Sequence, residues 1–130
     1  MRLYHYTCGH GRDGILADGY VRPNTHVYLP MLPPFIWLTD LDVPTREALG
    51  LTSVWLTCDR TEYRFDFELS DESGVRHWPA VAHDARLPRP VRDLLEDGGA
   101  LPQHWYVLGK PLDVGGSGGI GLPPAPVDAA

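Results

Sequence analysis

Lysine and cysteine are scarce in this chain of 130 residues, which contains one lysine, Lys110, and two cysteines, Cys8 and Cys58. The net charge is −6, and the arginines are scattered along the chain rather than grouped. A protein surface that follows a nucleic-acid backbone usually carries a basic patch or stripe. The composition therefore argues against double-stranded nucleic acid as a partner.

Two cysteines are too few for the disulfide framework of a small secreted domain. The sequence has no apolar run of membrane-spanning length, so we expect no membrane association. Polar residues interrupt the N-terminal region where a secretory signal would have its apolar segment, namely His5, Arg12 and Asp13. These features together predict a cytoplasmic protein.

The clearest periodic pattern lies between Thr61 and Leu69, where Tyr63, Phe65 and Phe67 alternate with charged residues. Such alternation is typical of a β-strand with one buried and one solvated face. Further strands or extended segments are predicted at Leu3–Cys8, Tyr20–Pro23, Phe35–Thr39, Leu51–Thr57, Val75–Ala82 and His104–Leu108.

Glycines at the ends of short apolar segments predict three helices. These helices are Gly11–Asp18 before Gly19, Asp42–Leu49 before Gly50, and Pro90–Asp97 before Gly98. Strands and short helices alternate without long crossovers, which favours an α+β domain with mostly antiparallel strands. We expect this domain to span residues 1–112, followed by a flexible Gly/Pro-rich tail at residues 113–130.

Two of the predicted strands carry residues suited to binding a sugar. On the first strand, His5 and Thr7 share one face and form a donor–acceptor pair for hydroxyl groups. The second strand adds an aromatic plane, Trp37, and another hydroxyl, Thr39. A buried, hydrogen-bonded histidine with a purely structural role is the alternative interpretation of His5.

These segments, taken in order, resemble the ADP-ribosyltransferase superfamily. The matching features are His5-Tyr6-Thr7 on a first strand, a helix closed by Gly19, and Trp37-Leu38-Thr39 on a second strand. The superfamily includes bacterial toxins, poly-ADP-ribose polymerases and RNA 2′-phosphotransferases. The resemblance covers about the first sixty residues, and it implies a split, strongly bent β-sandwich with short helices.

The resemblance also implies that NAD or a related nucleotide binds between the two strands. His5 would then hydrogen-bond the ribose next to nicotinamide, and Thr7 would meet the nicotinamide amide. Trp37 would stack on the nicotinamide ring, with Thr39 as the hydroxyl residue two places later. The implied function is transfer of ADP-ribose to a macromolecular acceptor, a reaction that builds positive charge on the ribose.

The first two motifs of the superfamily correspond to the segments around His5 and Trp37. This sequence departs from the pattern at the third motif, which lies at the start of a late strand. Most active transferases place a glutamate at the start of a late strand, whereas the candidate here is Gln103. A glutamine can form hydrogen bonds but cannot stabilise a cation as a carboxylate does. Glu62 is another candidate, although its place in the alternating strand is typical of a surface charge. This departure favours a non-catalytic nucleotide- or protein-binding module on the same fold as the alternative function.

A phosphate-binding use of the same pocket is a further alternative, because RNA 2′-phosphotransferases recognise phosphates with arginines. Arg60, Arg22 and Arg64 are the candidates, and Arg60 has the alternative of pairing with its neighbour Asp59. Four residues are candidate ligands for a metal ion, namely His5, Cys8, His10 and Cys58. Their spacing matches no zinc motif, so no metal is expected.

Overall fold

The computed structural model describes residues 1–26, 29–43, 45–49, 60–97, 99–114 and 120–121. Within these ranges the chain forms an α+β domain, as the sequence predicted. The α-helices are α1 (Gly9–Asp18), α2 (Trp78–Asp84) and α3 (Arg89–Glu96). The strands are β1 (Arg2–Thr7), β2 (Tyr20–Val21), β3 (Ile36–Thr39), β4 (Tyr63–Glu68), β5 (Arg76–His77), β6 (Trp105–Leu108), β7 (Leu112–Asp113) and β8 (Ile120–Gly121).

Six of these strands form one antiparallel sheet in the order β5-β6-β3-β1-β4-β8, while β2 and β7 form a separate pair. Strands β1 and β4 are in register along their whole length, from Arg2 opposite Glu68 to Thr7 opposite Tyr63. Strands β1 and β3 share a single paired position, Tyr4 opposite Thr39. The centre of the large sheet is therefore its least paired junction.

Apolar side chains cover both faces of the large sheet. One face carries Leu3, Phe65 and Phe67, which pack with Val21 of β2 and Leu112 of β7. The opposite face carries Trp105 and Val107, which pack against residues of α2 and α3, namely Trp78, Val81, Ala82 and Leu95. This arrangement follows from the alternation of side chains along each strand, and it places one core on each side of the sheet.

The helix signals were confirmed for α1 and α3 but were wrong for residues 42–49. Gly19 ends α1 with φ = 84°, a left-handed conformation that glycine adopts without steric cost. Where a helix was expected, the described residues form one turn, in which the Thr45 hydroxyl accepts a hydrogen bond from the Ala48 amide at 3.1 Å. Pro44 and Gly50 lie outside the described residues.

Trp78 begins helix α2, although the sequence pattern predicted a strand around it. The following residue, Pro79, lies in the first turn, where its missing amide hydrogen removes no helical hydrogen bond. Two leucines of the helices, Leu16 of α1 and Leu94 of α3, are exposed. The predicted strand Leu51–Thr57 lies outside the described residues.

The C-terminal segment contributes to both sheets where it is described. Strand β7 pairs with β2, and the Val114 amide donates to the main-chain oxygen of Gly19 at 3.1 Å. Strand β8 pairs with Arg64 and Phe65 of β4. The other residues after Val114 lie outside the described ranges. None of the described helices has the length and apolar character needed to cross a membrane.

Candidate functional site

A cleft of about 600 Å³ opens beside the junction of β1 and β3. Both strands, α1 and the segment after β2 line it, together with Arg60. Five residues that the sequence analysis proposed for nucleotide binding are part of this lining, namely His5, Thr7, Trp37, Thr39 and Arg60. The fold therefore brings these five positions to one cavity.

The strand register explains how residues from both faces reach this cleft. Tyr4 lies opposite Thr39, so alternation places Thr39 and Trp37 on the face opposite to His5 and Thr7. Because β1 and β3 pair only at that position, the cavity between them is open to side chains of either face. The alternation along each strand does not by itself show that the two pairs of residues approach the cleft from different sides.

His5 bridges the poorly paired junction through its side chain. Its Nδ1 lies 3.0 Å from the main-chain oxygen of Trp37. A carbonyl oxygen only accepts hydrogen bonds, so Nδ1 carries the hydrogen and donates it. In the neutral ring Nε2 is then an acceptor, which suits it to receive a hydrogen bond from a hydroxyl group.

Burial and charge both keep the His5 ring neutral. Burial lowers the pKa of His5 below its ordinary value of 6.5, and the positive charge of Arg60 lowers it further. The hydrogen bond to Trp37 acts in the opposite direction but does not offset these two effects. At neutral pH the imidazole is therefore uncharged.

Thr7 and Gly11 fix how closely helix α1 approaches β1. A Cβ atom at Gly11 would lie 1.9 Å from the Thr7 hydroxyl oxygen, so a larger residue requires the Thr7 side chain or the helix to move. Thr7 itself is buried beneath the first turns of α1, and both residues line the cleft. On the other strand, the Thr39 hydroxyl accepts a hydrogen bond from the Leu41 amide at 3.2 Å, which orients this side chain.

Trp37 belongs to a group of aromatic rings at one end of the cleft. Its ring centroid lies 4.8 Å from that of Trp78 and 6.2 Å from that of Trp105. These neighbours hold the half-buried indole in place, which makes it a rigid flat wall. A heteroaromatic ligand ring is the kind of group that such a wall binds.

His26 is a second histidine of the cleft, and the sequence analysis assigned no role to it. Its ring approaches the Trp37 indole edge-on, with 5.5 Å between the centroids and 61° between the planes. Burial lowers the pKa of His26 from 6.5. The residue lies in a loop without a periodic pattern, so no sequence signal pointed to it.

The arginines that are candidates for phosphate binding differ in whether they form ion pairs with carboxylates of the protein. Arg22 pairs with Asp18 at 3.1 Å, and Arg64 pairs with Asp66 at 2.7 Å while stacking over the Tyr4 ring. Arg60 makes no ion pair with another described residue, and it is an exposed residue of the cleft lining. Asp59, the alternative partner considered from the sequence, lies outside the described residues, so Arg60 is the one of the three candidates without an ion pair to a described residue.

Gln103 lies away from the cleft lining, in the short 3₁₀ turn Pro102–His104. Its main-chain oxygen accepts a hydrogen bond from His77 Nε2 at 2.6 Å. Glu62, the other candidate for the third motif, is exposed and also absent from the lining. Among the described lining residues the one carboxylate is Asp18, which Arg22 neutralises.

The described residues contain no group of three or more histidine, cysteine, aspartate or glutamate side chains placed to hold a metal ion. Cys58, one of the four candidate metal ligands, lies outside the described ranges.

Comparison with known proteins finds no matching family model, no matching curated protein and no matching solved structure.

Proposed function

We propose that this protein binds NAD in the cleft between β1 and β3 and transfers ADP-ribose from it to a macromolecular acceptor. The observation that supports this function is the convergence of five residues on one cavity, namely His5, Thr7, Trp37, Thr39 and Arg60. These are the positions at which the sequence resembles the ADP-ribosyltransferase superfamily or at which an arginine was expected to meet phosphate.

The chemistry of each residue suits one part of NAD. The Trp37 indole offers a flat wall for the nicotinamide ring, and hydroxyl groups come from Thr39 on the same face and from Thr7 on the opposite face. The unprotonated Nε2 of His5 accepts a hydrogen bond from a ribose hydroxyl, while Arg60 meets the phosphates. The cavity of about 600 Å³ lies within the size range of small-molecule sites.

Transfer requires cleavage of the bond between C1′ of the ribose and the nicotinamide nitrogen. The electron pair of this bond leaves with nicotinamide, and positive charge develops on the sugar. A rigid grip on the ribose lowers the barrier because it aligns the reacting atoms before the bond breaks. His5, held by Trp37 across the strand junction, supplies such a grip.

A second candidate function is a nucleotide-binding module without turnover. It is favoured by the position of Gln103 outside the cleft and by the ion pair that neutralises Asp18. Both observations leave the developing cation without a free carboxylate among the described lining residues. An RNA 2′-phosphotransferase activity has less support, because Arg22 and Arg64 are engaged in ion pairs.

The test measures NAD affinity by calorimetry and nicotinamide release by chromatography, for the unaltered protein and His5→Ala. We expect His5→Ala to weaken NAD binding at least about tenfold, which corresponds to roughly 1.4 kcal/mol. His83→Ala is the matched control, since the side chain of His83 is 89% exposed on α2. Binding without nicotinamide release supports the module, and the absence of NAD binding by the unaltered protein overturns both functions.

A further inference from the structure

One face of helix α1 forms a wall of the cleft that leads from the sheet to Asp18. Four residues of the helix line the cleft, namely Gly11, Gly14, Ile15 and Asp18. These are positions i, i+3, i+4 and i+7, which share one face of an α-helix. Gly11 lies against Thr7 of β1 and Asp18 is the last residue of α1, so a rise of 1.5 Å per residue makes this face about 10 Å long. A dinucleotide held at β1 by its nicotinamide ribose can therefore extend its adenosine half along α1 toward Asp18.

The charged side chains of the described lining are few. They are two guanidiniums, Arg22 and Arg60, and one carboxylate, Asp18. The histidines of this lining are neutral at neutral pH, because burial lowers the pKa of both His5 and His26. Whether each guanidinium is free or paired therefore decides how much negative charge a ligand can bring into the cleft.

Arg22 is engaged by Asp18. Its Nε and Nη2 atoms both donate to the carboxylate, and 3.1 Å separates Nη2 from Oδ1. This bidentate arrangement uses the same fork of donors with which an arginine holds a phosphate. The hydrogen bond with Arg22 lowers the pKa of Asp18 from 3.8, so the carboxylate is charged at neutral pH. While that charge is present, Arg22 is not available to a phosphate group.

We propose that Asp18 makes the cleft selective for NAD over NADP. NADP differs from NAD by a phosphate on the 2′-oxygen of the adenosine ribose, which adds roughly two negative charges at neutral pH. That phosphate would meet the Asp18 carboxylate and find Arg22 engaged, whereas the 2′-hydroxyl of NAD can donate a hydrogen bond to the carboxylate. This inference rests on the proposed function, and it applies to NAD binding with or without turnover.

The experiment measures the affinities of the full chain and of Asp18→Asn for NAD and for NADP by calorimetry. Asparagine keeps the size of the side chain and removes its charge. The Asp18 and Arg22 side chains are 39% and 56% exposed, so loss of their ion pair should not unfold the domain. The unaltered protein should bind NAD at least about tenfold more tightly than NADP. Asp18→Asn should strengthen NADP binding about tenfold or more, because it releases Arg22, and should change NAD binding by less than about threefold.

Asp13→Asn is the matched control. Asp13 also lies on α1 and pairs with an arginine, Arg12, at 2.9 Å, but it is absent from the described lining of the cleft. The substitution removes the same charge from the same helix, so it should leave the ratio of the NAD and NADP affinities unchanged. The double variant Asp18→Asn/Arg22→Gln shows whether the gain for NADP depends on Arg22, and we expect it to lose that gain.

The outcomes separate this inference from the proposed function. Equal affinities of the unaltered protein for NAD and NADP, or an unchanged preference in Asp18→Asn, overturn the role of Asp18 and leave the proposed function standing. A gain for NADP that Asp13→Asn shares, or that persists in the double variant without Arg22, overturns it as well. A failure of the unaltered protein to bind NAD overturns both proposals.

Discussion

The side chain of His5 is bonded to the main chain of Trp37, with 3.0 Å between Nδ1 and the carbonyl oxygen. This bond lies next to the one position at which β1 and β3 pair. A side chain thus partly replaces the backbone ladder at the centre of the sheet. It also fixes which imidazole nitrogen faces a ligand, because the donor nitrogen is committed to Trp37.

Substitution by alanine of the two α1 glycines that line the cleft should have opposite effects on the free energy of unfolding. Gly11→Ala should lower the free energy of unfolding by about 1–3 kcal/mol, because the added methyl group overlaps the Thr7 hydroxyl. Gly14→Ala should raise it by about 0.5–1 kcal/mol, because nothing lies within 4 Å of the new Cβ and alanine favours a helix. Urea denaturation of both variants measures the difference, and equal effects would contradict the close packing of α1 on Thr7.

The two cleft histidines predict that the protein loses stability in mild acid. Both have a folded-state pKa below 6.5, the value of an unperturbed histidine. As the pH falls below about 6.5, the unfolded chain binds protons that the folded histidines do not. The free energy of unfolding should therefore decrease, by at most about 1.4 kcal/mol per pH unit for each histidine.

Thermal unfolding between pH 7.5 and 5 measures this pH dependence. His5→Asn and His26→Gln should each flatten it, and His83→Gln, a substitution at a largely exposed position, is the control. The pKa of Asp18 is lowered from 3.8, so its effect falls below this pH range. A dependence that is equally steep without His5 and His26 would show that other groups are responsible.

Arg60 is predicted to act on the phosphates of a bound nucleotide. Arg60→Gln should weaken binding of ADP-ribose about tenfold or more, because a hydrogen bond to a charged group contributes about 1.5–3 kcal/mol. The same substitution should raise the pKa of His5, since the charge of Arg60 lowers it. Arg46→Gln, an exposed arginine outside the described cleft lining, is the control for a change in net charge.

Titration calorimetry with ADP-ribose and with nicotinamide riboside separates the two parts of the ligand. The riboside has no phosphate, so its affinity should not fall with Arg60→Gln. An equal loss for both ligands would show that Arg60 acts on the shape of the cleft rather than on phosphate.

Arg86 follows α2 in a left-handed conformation, with φ = 51°. This conformation costs a residue with a side chain about 1–2 kcal/mol, and glycine adopts it freely. Part of the gain is offset because glycine makes the unfolded chain more flexible. Arg86→Gly should therefore raise the free energy of unfolding by up to about 1 kcal/mol, as measured in urea. Arg86→Ala keeps the strained backbone and should change it little.

Sequence periodicity predicted the strands well where one face of the sheet is buried and the other is polar. The alternation around Phe65 and Phe67 identified β4, and both rings are buried as expected. Glycine signals were reliable at Gly19 but not at residues 42–49. There Thr45 closes a single turn, and a local side-chain hydrogen bond of this kind competes with a continuing helix.

The composition of the cleft was predicted only in part. His5, Thr7, Trp37 and Thr39 were identified because they lie on predicted strands, where alternation gives their spacing. Their approach from two faces depends on how β1 and β3 separate, and that separation is a tertiary feature without a local signal. His26 was missed for a similar reason, because a loop residue reaches the cleft only through the path of the folded chain.

The single pairing between β1 and β3 also has a mechanical consequence. Strands β5, β6 and β3 lie on one side of this junction and β1, β4 and β8 on the other, so the two halves of the sheet share only one paired position in the backbone ladder. A molecule bound in the cleft contacts residues of both halves and adds to the core packing of Leu3 with Ile36 and Leu38 that already joins them. A bound ligand should therefore raise the melting temperature of the domain.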